Sequence, residues 1–251
     1  EGNRLLEVRD NNDTGPLVYS YEYDDNGSRI KKWQGAKNSG TLLQDISYDQ
    51  KRRATQISTT IQTNSFKYDN NNYRTHKTDS IGINDYYLEG EHLEATYGGT
   101  DNLKAKYLRG VVVDEIVNGY EYDEQGSDTN LTFHHDHLNS VTALTGHAGT
   151  TEETLQYDPF GNIQNQTGSS NNKLRYTGRE EDSDTGLYYY RARYYDPQVG
   201  RFLTEDPLRF NAGINFYAYV NNNPIKLADP YGQTPVKTAV GPEGHVGVLL
   251  S

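Results

Sequence analysis

Aromatic and polar residues alternate at period two in short runs along this chain. Tyr21-Glu22-Tyr23, Ile46-Ser47-Tyr48 and Phe66-Lys67-Tyr68 each put apolar or aromatic side chains on one face of an extended strand. Each run ends in Tyr-Asp: Tyr23-Asp24, Tyr48-Asp49 and Tyr68-Asp69. Two polar residues follow, then a glycine or its substitute. The pattern predicts a strand, a tight turn and a return strand, because aspartate bonds backbone amides two residues on and starts a turn. Gly27 supplies the positive φ such a turn needs. Asn72 stands in that slot three residues after Asp69 and is the substitute that best tolerates the left-handed region. Arg52 fits the slot less well and predicts a degenerate repeat. Weaker echoes occur at Tyr120-Glu121-Tyr122-Asp123-Glu124-Gln125-Gly126 and Leu155-Gln156-Tyr157-Asp158-Pro159-Phe160-Gly161-Asn162. One such motif is an ordinary hairpin; its recurrence predicts an all-β array of antiparallel hairpins. Gly2-Asn3-Arg4-Leu5 reads as the back half of one more repeat, so further hairpins are expected before residue 1.

Composition modifies this picture. Only 33% of residues are hydrophobic and the net charge is −11, values that lean toward disorder. The 22 tyrosines argue for a folded sheet with polar faces, since tyrosine buries a ring while its hydroxyl finds water or a backbone partner. Cysteine is absent, which excludes disulfides, thiol chemistry and a CxxC zinc site. No run of about 18 apolar residues suggests a membrane span. An acidic balance without a basic tract argues against nucleic acid as a partner. The chain has no methionine, so its natural start is expected elsewhere.

From about residue 133 the motifs become specific. Phe133-His134-His135-Asp136-His137-Leu138-Asn139-Ser140 leads, followed by Tyr157-Asp158-Pro159-Phe160-Gly161 and Arg175-Tyr176-Thr177-Gly178-Arg179. Asp184-Thr185-Gly186-Leu187-Tyr188-Tyr189-Tyr190-Arg191-Ala192-Arg193-Tyr194-Tyr195-Asp196-Pro197 comes next. Gly200-Arg201-Phe202-Leu203-Thr204-Glu205-Asp206-Pro207, Asn215-Phe216-Tyr217-Ala218-Tyr219 and Asp229-Pro230-Tyr231-Gly232 complete the set. This run resembles the Rhs repeat-associated core domain of the Rhs/YD-repeat family, found in bacterial polymorphic toxins and in the C component of Tc toxins. Asn139 departs from the family's glycine, and the turn is expected to survive the change.

The resemblance implies a hollow cocoon of spiralling YD hairpins over residues 1–132, entered mid-repeat. It also implies a core-associated domain over 133–232 that turns inward as a plug, and a post-cleavage tail over 233–251. That tail is too short for a toxin domain with its own core. A variable toxin polypeptide after the plug is the implied cargo. Secretion-spike or Tc-complex proteins and an immunity protein are possible partners, and an exported bacterial effector is the implied location. No cofactor is implied. The resemblance also implies an aspartic self-protease, the only enzyme activity expected of this segment, with Asp206 and Asp229 of the two Asp-Pro units as its carboxylates. Of two close carboxylates one keeps a proton, so the charged one can activate water and the protonated one can donate to the scissile carbonyl. The cut is expected beyond the second unit, at Gly232, Gln233 or Thr234. Arg209 replaces the glycine of the first unit; it either spoils the turn or adds a cation that lowers a carboxylate. Gln233 replaces the usual apolar residue. Asp-Pro is also a common turn starter, so a structural role stays open.

His135 and His137 alternate as strand-borne zinc ligands would, although a hydrogen-bonded turn is the expected role and no third ligand is evident. Arg191, Arg193 and their neighbouring tyrosines are expected to pack within the plug rather than stack on nucleic acid. Two functions compete: a toxin-encapsulating shell with self-cleavage, and a non-catalytic, teneurin-like surface or adhesion protein.

Overall fold

The computed structural model describes residues 2–11, 13–99, 101–123, 126–233, 236–240 and 246–249. Among them, an antiparallel sheet of 15 strands follows chain order, each strand pairing with its sequence neighbours. It begins with β1 Glu7–Arg9, β2 Leu17–Tyr23, β3 Arg29–Gln34, β4 Thr41–Tyr48 and β5 Ala54–Thr59. It continues through β6 Thr63–Tyr68, β7 Arg74–Asp79, β8 Gly82–Glu89, β9 His92–Tyr97 and β10 Leu103–Arg109. β11 Ile116–Tyr122, β12 Asp128–His135, β13 Val141–Gly146, β14 Thr151–Tyr157 and β15 Ile163–Gly168 complete it. The sheet does not close on itself. The chain is all-β, as its alternation predicts.

The Tyr-Asp turns share one construction. In the first, the Asp24 carboxylate accepts the Ser28 amide at 2.7 Å and the Gly27 amide reaches the Asp24 carbonyl at 3.1 Å. The residue after the two polar positions is left-handed: φ is 80° at Gly27, 62° at Arg52, 71° at Asn72 and 67° at Asn139. The ladder shifts register beside each of these turns, between Glu22/Tyr23, Ser47/Tyr48, Lys67/Tyr68 and His134/His135. A turn followed by a left-handed residue is the three-residue hairpin loop with its bulge, which adds twist to the strands it joins. The Arg52 turn is not degenerate. Asp49 still accepts the Lys51 and Arg53 amides at 2.9 and 3.0 Å, so the backbone bonds outweigh the unfavourable φ. Asn139 likewise keeps its turn, with the Ser140 amide 2.8 Å from the Asp136 carboxylate. In the half-repeat at the start it is Asn3, one residue after the glycine, that takes a left-handed φ of 62°.

A second sheet packs against one face of the first. Its strands are β16 Glu180–Asp182, β17 Leu187–Tyr190, β18 Arg193–Asp196 and β19 Arg201–Phe202. Early and late strands of the long sheet both meet β18, so the sheet curls around it: Arg29 pairs with Asp196 at 2.7 Å, and the Tyr195 hydroxyl donates to the Phe160 carbonyl at 2.8 Å. Ile46, Ile57 and Phe66 of the long sheet pack with Leu187, Tyr194 and Leu203. Tyr176, Tyr188, Tyr190, Tyr195 and Tyr219 form an aromatic core with Phe202, mostly edge-on or tilted. Such a core is buried yet polar at its rims, which reconciles low hydrophobicity with a packed fold. Buried ion pairs lock the two sheets, chiefly Arg74 with Asp182 at 3.0 Å and Lys77 with Glu180 and Asp182, each at 2.9 Å.

A third sheet joins β20 Leu227–Ala228, β21 Val236–Val240 and β22 Val246–Leu249. The apolar stretch near the end of the chain is thus a strand paired to its own hairpin partner. No helix among the described residues is long and apolar enough to cross a membrane.

Candidate active site

Asp206 and Asp229 each open a turn of the same kind as the Tyr-Asp repeats. Asp206 accepts the Leu208 amide at 2.8 Å, and the Arg209 amide reaches the Asp206 carbonyl at 3.0 Å. Arg209 takes φ 51°, so the residue that replaces glycine leaves the turn intact. Its exposed side chain borders a cavity of about 300 Å³ beside Asp25, Gln50 and Glu205. At the second turn Asp229 accepts the Gln233 amide at 3.0 Å, and Gly232 sits at φ 67°. A side chain at position 232 would collide with the Tyr190 carbonyl 2.3 Å away, so only glycine fits there. Thr234 lies outside the described residues.

The two aspartates are brought together by a residue of β18. The Arg193 Nη2 atom lies 2.7 Å from Asp206 and 3.5 Å from Asp229. Its Nε donates to the Gly232 carbonyl at 2.5 Å, and its Nη1 to the Phe216 carbonyl at 3.0 Å. The guanidinium lies over the Phe202 ring, 3.6 Å from the centroid. Both carboxylates are almost wholly buried, at 3% and 1% exposure. Burial pushes the Asp206 carboxyl above its ordinary value despite Arg193, and it brings the Arg193 guanidinium down to about 10. Arg193, not Arg209, is therefore the cation at the carboxylates.

The peptide joining Gly232 to Gln233 is held at both ends, its carbonyl by Arg193 and its amide by Asp229. A carbonyl facing a buried guanidinium is polarised toward attack, and two carboxyl groups beside it can supply base and acid. Sequence reasoning assigned Arg193 to packing alone. A pair of buried aspartates needs a compensating cation, and that requirement was the available signal.

The histidines do not converge. His135 ends β12, stacks on Phe133 at 6.3 Å and is brought down to about 4 by burial, then by His134. His137 lies in the following turn, not on the strand, and its ring is 2.9 Å from the Ile225 carbonyl. No group of three potential metal ligands exists among the described residues.

Residues 114–225 match the teneurin YD-shell family model. Over 86% of its length the chain superposes on the TcdB2-TccC3-TEV crystal structure, with a TM-score of 0.62 and 18% identity, covering 13% of that chain. The chain belongs to the YD/Rhs shell family. Relatives of this YD/Rhs shell segment include the tRNA nuclease WapA of Bacillus subtilis (strain 168), 32% identical over 177 residues. That match takes in 67% of this chain and 7% of WapA. The double-stranded DNA deaminase toxin A of Burkholderia cenocepacia (strain H111) is 26% identical over 270 residues, which cover 92% of this chain and 17% of the toxin. The YD/Rhs shell segment thus spans a small fraction of these relatives.

Proposed function

We propose that this segment is the closing part of a toxin shell that encloses a following toxin polypeptide and releases it by aspartic self-cleavage. The cut falls at one of the two peptide bonds flanking Gln233, and the hold of Arg193 and Asp229 on the Gly232–Gln233 peptide favours that bond. The observation that carries the reading is Arg193 between Asp206 and Asp229, with the Gly232 carbonyl on the same guanidinium. Asp206, favoured by burial to keep a proton, is the acid; Asp229 is the base. Water loses a proton to Asp229 as it adds to the scissile carbonyl carbon. Asp206 donates its proton to the carbonyl oxygen. Asp229, which holds the Gln233 amide, then passes the water's proton to the departing nitrogen as the C–N bond breaks. Asp206 takes its proton back, and the products are a carboxylic acid and an amine. The nuclease and deaminase toxins among the relatives support a toxin cargo, and the resemblance to Tc and Rhs toxins supports export with secretion or Tc-complex partners. On this reading residues 1–132 are wall, 133–232 the core-associated domain, whose strands β13–β15 continue the wall sheet before the chain turns in as the plug, and 233–251 tail.

The test is expression of the natural full-length chain with Asp206→Asn or Asp229→Asn, followed by intact-mass analysis. Wild type is expected to give a new terminus beside Gln233 and both variants a single uncut chain. An uncut wild type favours the non-catalytic surface reading, which the teneurin match supports.

A further inference from the structure

The second Asp-Pro turn is clamped from the long sheet as well as from β18. Asp114 ends the turn between β10 and β11, is buried, and takes both nitrogens of Arg191 in a fork at 2.7 and 3.1 Å. The same carboxylate pairs with Arg179. Both guanidinium groups then donate to one atom, the Pro230 carbonyl, from Arg191 at 2.5 Å and from Arg179 at 3.3 Å. Pro230 directly follows Asp229. Two like charges so close repel unless a carboxylate lies between them. Burial alone would raise the Asp114 carboxyl, but Arg179 and Arg191 outweigh it and keep it below the ordinary carboxylate range. The approach of this loop is tight: a side chain at Gly178 would meet the Asp114 carbonyl at 2.9 Å. Glu91, between β8 and β9, adds a second hold. Its backbone carbonyl accepts from Arg191 at 3.0 Å and its carboxylate from the Tyr231 hydroxyl at 2.8 Å.

We infer that Asp114 is a positioning residue for self-cleavage, tying the Arg179–Arg191 pair, and through it the Asp229 turn, to the hairpins of the long sheet. The inference rests on the self-protease reading. Its consequence is an order of events: the carboxylate pair becomes competent only after the β10–β11 turn has docked on Arg179 and on Arg191 of the β17–β18 turn. A precursor whose wall is incomplete keeps its cargo attached.

The experiment compares cleavage rates of the full-length chain as wild type, Asp114→Asn, Asp114→Glu and Asp182→Asn. Asp182 is a more deeply buried carboxylate between the two sheets, paired with Arg74 and Lys77 and not with either Asp-Pro turn. Asp114→Asn is expected to cleave at least about ten-fold slower, because small misplacements of a reacting pair are costly. Asp114→Glu keeps the charge and should fall between wild type and Asp114→Asn. Asp182→Asn should lose melting temperature yet cleave within about two-fold of wild type, since its ion pairs, with Arg74 and Lys77, include neither Asp-Pro turn. If Asp114→Asn fails to fold, Asp114→Glu decides: a wild-type rate overturns the inference and a slower one supports it. Equal slowing in Asp182→Asn would reduce Asp114 to general stability and overturn it. An uncut wild type removes the self-protease reading and this inference with it, whereas a cleaving wild type matched by Asp114→Asn removes this inference alone.

Discussion

The Tyr48 hydroxyl donates to the backbone carbonyl of Arg29 at 2.8 Å. Tyr68 does the same to Ala54 at 2.7 Å, and Tyr157 to Val141 at 2.8 Å. Each acceptor lies two residues beyond the left-handed slot of the preceding turn: Gly27, Arg52 and Asn139. The tyrosine of one repeat is thus tied to the return strand of an earlier one. This explains the Tyr-Asp pairing. Aspartate builds its own turn while the adjacent ring spans to the neighbouring hairpin, fixing spacing and register along the array.

Replacing Tyr48 or Tyr68 with phenylalanine should therefore lower stability by about 1 kcal/mol each, the net worth of a hydrogen bond whose carbonyl loses its partner. Tyr87, at 62% exposure, should tolerate the same change without effect. Urea denaturation midpoints measure the difference, and an equal response at all three positions would refute the tie.

At position 52 glycine should be better than the native arginine. The left-handed backbone costs a non-glycine residue about 1 kcal/mol. Arg52 regains little, since its contacts are a 3.7 Å ion pair with Glu205 and a 3.4 Å bond to the Asn26 carbonyl. Arg52→Gly is expected to raise the urea midpoint and Arg52→Val to lower it. A lower midpoint for glycine would show that those contacts outweigh the backbone strain.

The hairpin array was legible because the period-two alternation, the Asp turn and the left-handed slot are local signals, repeated often enough to exclude chance. The error at Arg52 came from judging the slot by side-chain preference, whereas two amide bonds to Asp49 decide it. Asp206 and Asp229 were legible as a motif, but their convergence on Arg193 was not. That convergence depends on how β18 lies between two loops, a long-range relation no local pattern records. Asp114 was invisible for the same reason, being a turn residue whose partners, Arg179 and Arg191, come from the other sheet.

Acid should destabilise the fold in two windows. His135, held down to about 4 by burial, binds its proton more readily unfolded, near 6.5. Stability is thus present above about 6.5 and falls as the pH drops through 4. Glu180, though buried, is held down to about 2 by Arg74 and Lys77, so its contribution is lost between about 4.5 and 2. His135→Phe should flatten the upper window and Glu180→Gln the lower one. Stability curves against pH from urea melts test both assignments, and an unchanged slope in either variant refutes the corresponding one.

Arg193→Met should abolish self-cleavage and weaken the gain of stability with rising pH. Removing one partner of a buried ion pair costs about 3–5 kcal/mol, because the carboxylates left behind lack compensation. Asp206, already raised by burial, loses the cation that opposes the rise. A folded-state value above the unfolded 3.8 means that the folded variant binds the extra proton, so this group's contribution is lost as pH rises above about 3.8. The His135 gain between about 4 and 6.5 is common to both proteins, so the variant should gain less stability with rising pH than wild type. Adding Asp206→Asn to Arg193→Met removes the stranded charge and should recover much of the loss without restoring cleavage. Urea midpoints at pH 5 and pH 7 for the three proteins decide the matter. An Arg193→Met variant that still cleaves, or whose stability rises with pH as steeply as in wild type, would show that this guanidinium does not govern the carboxylate pair.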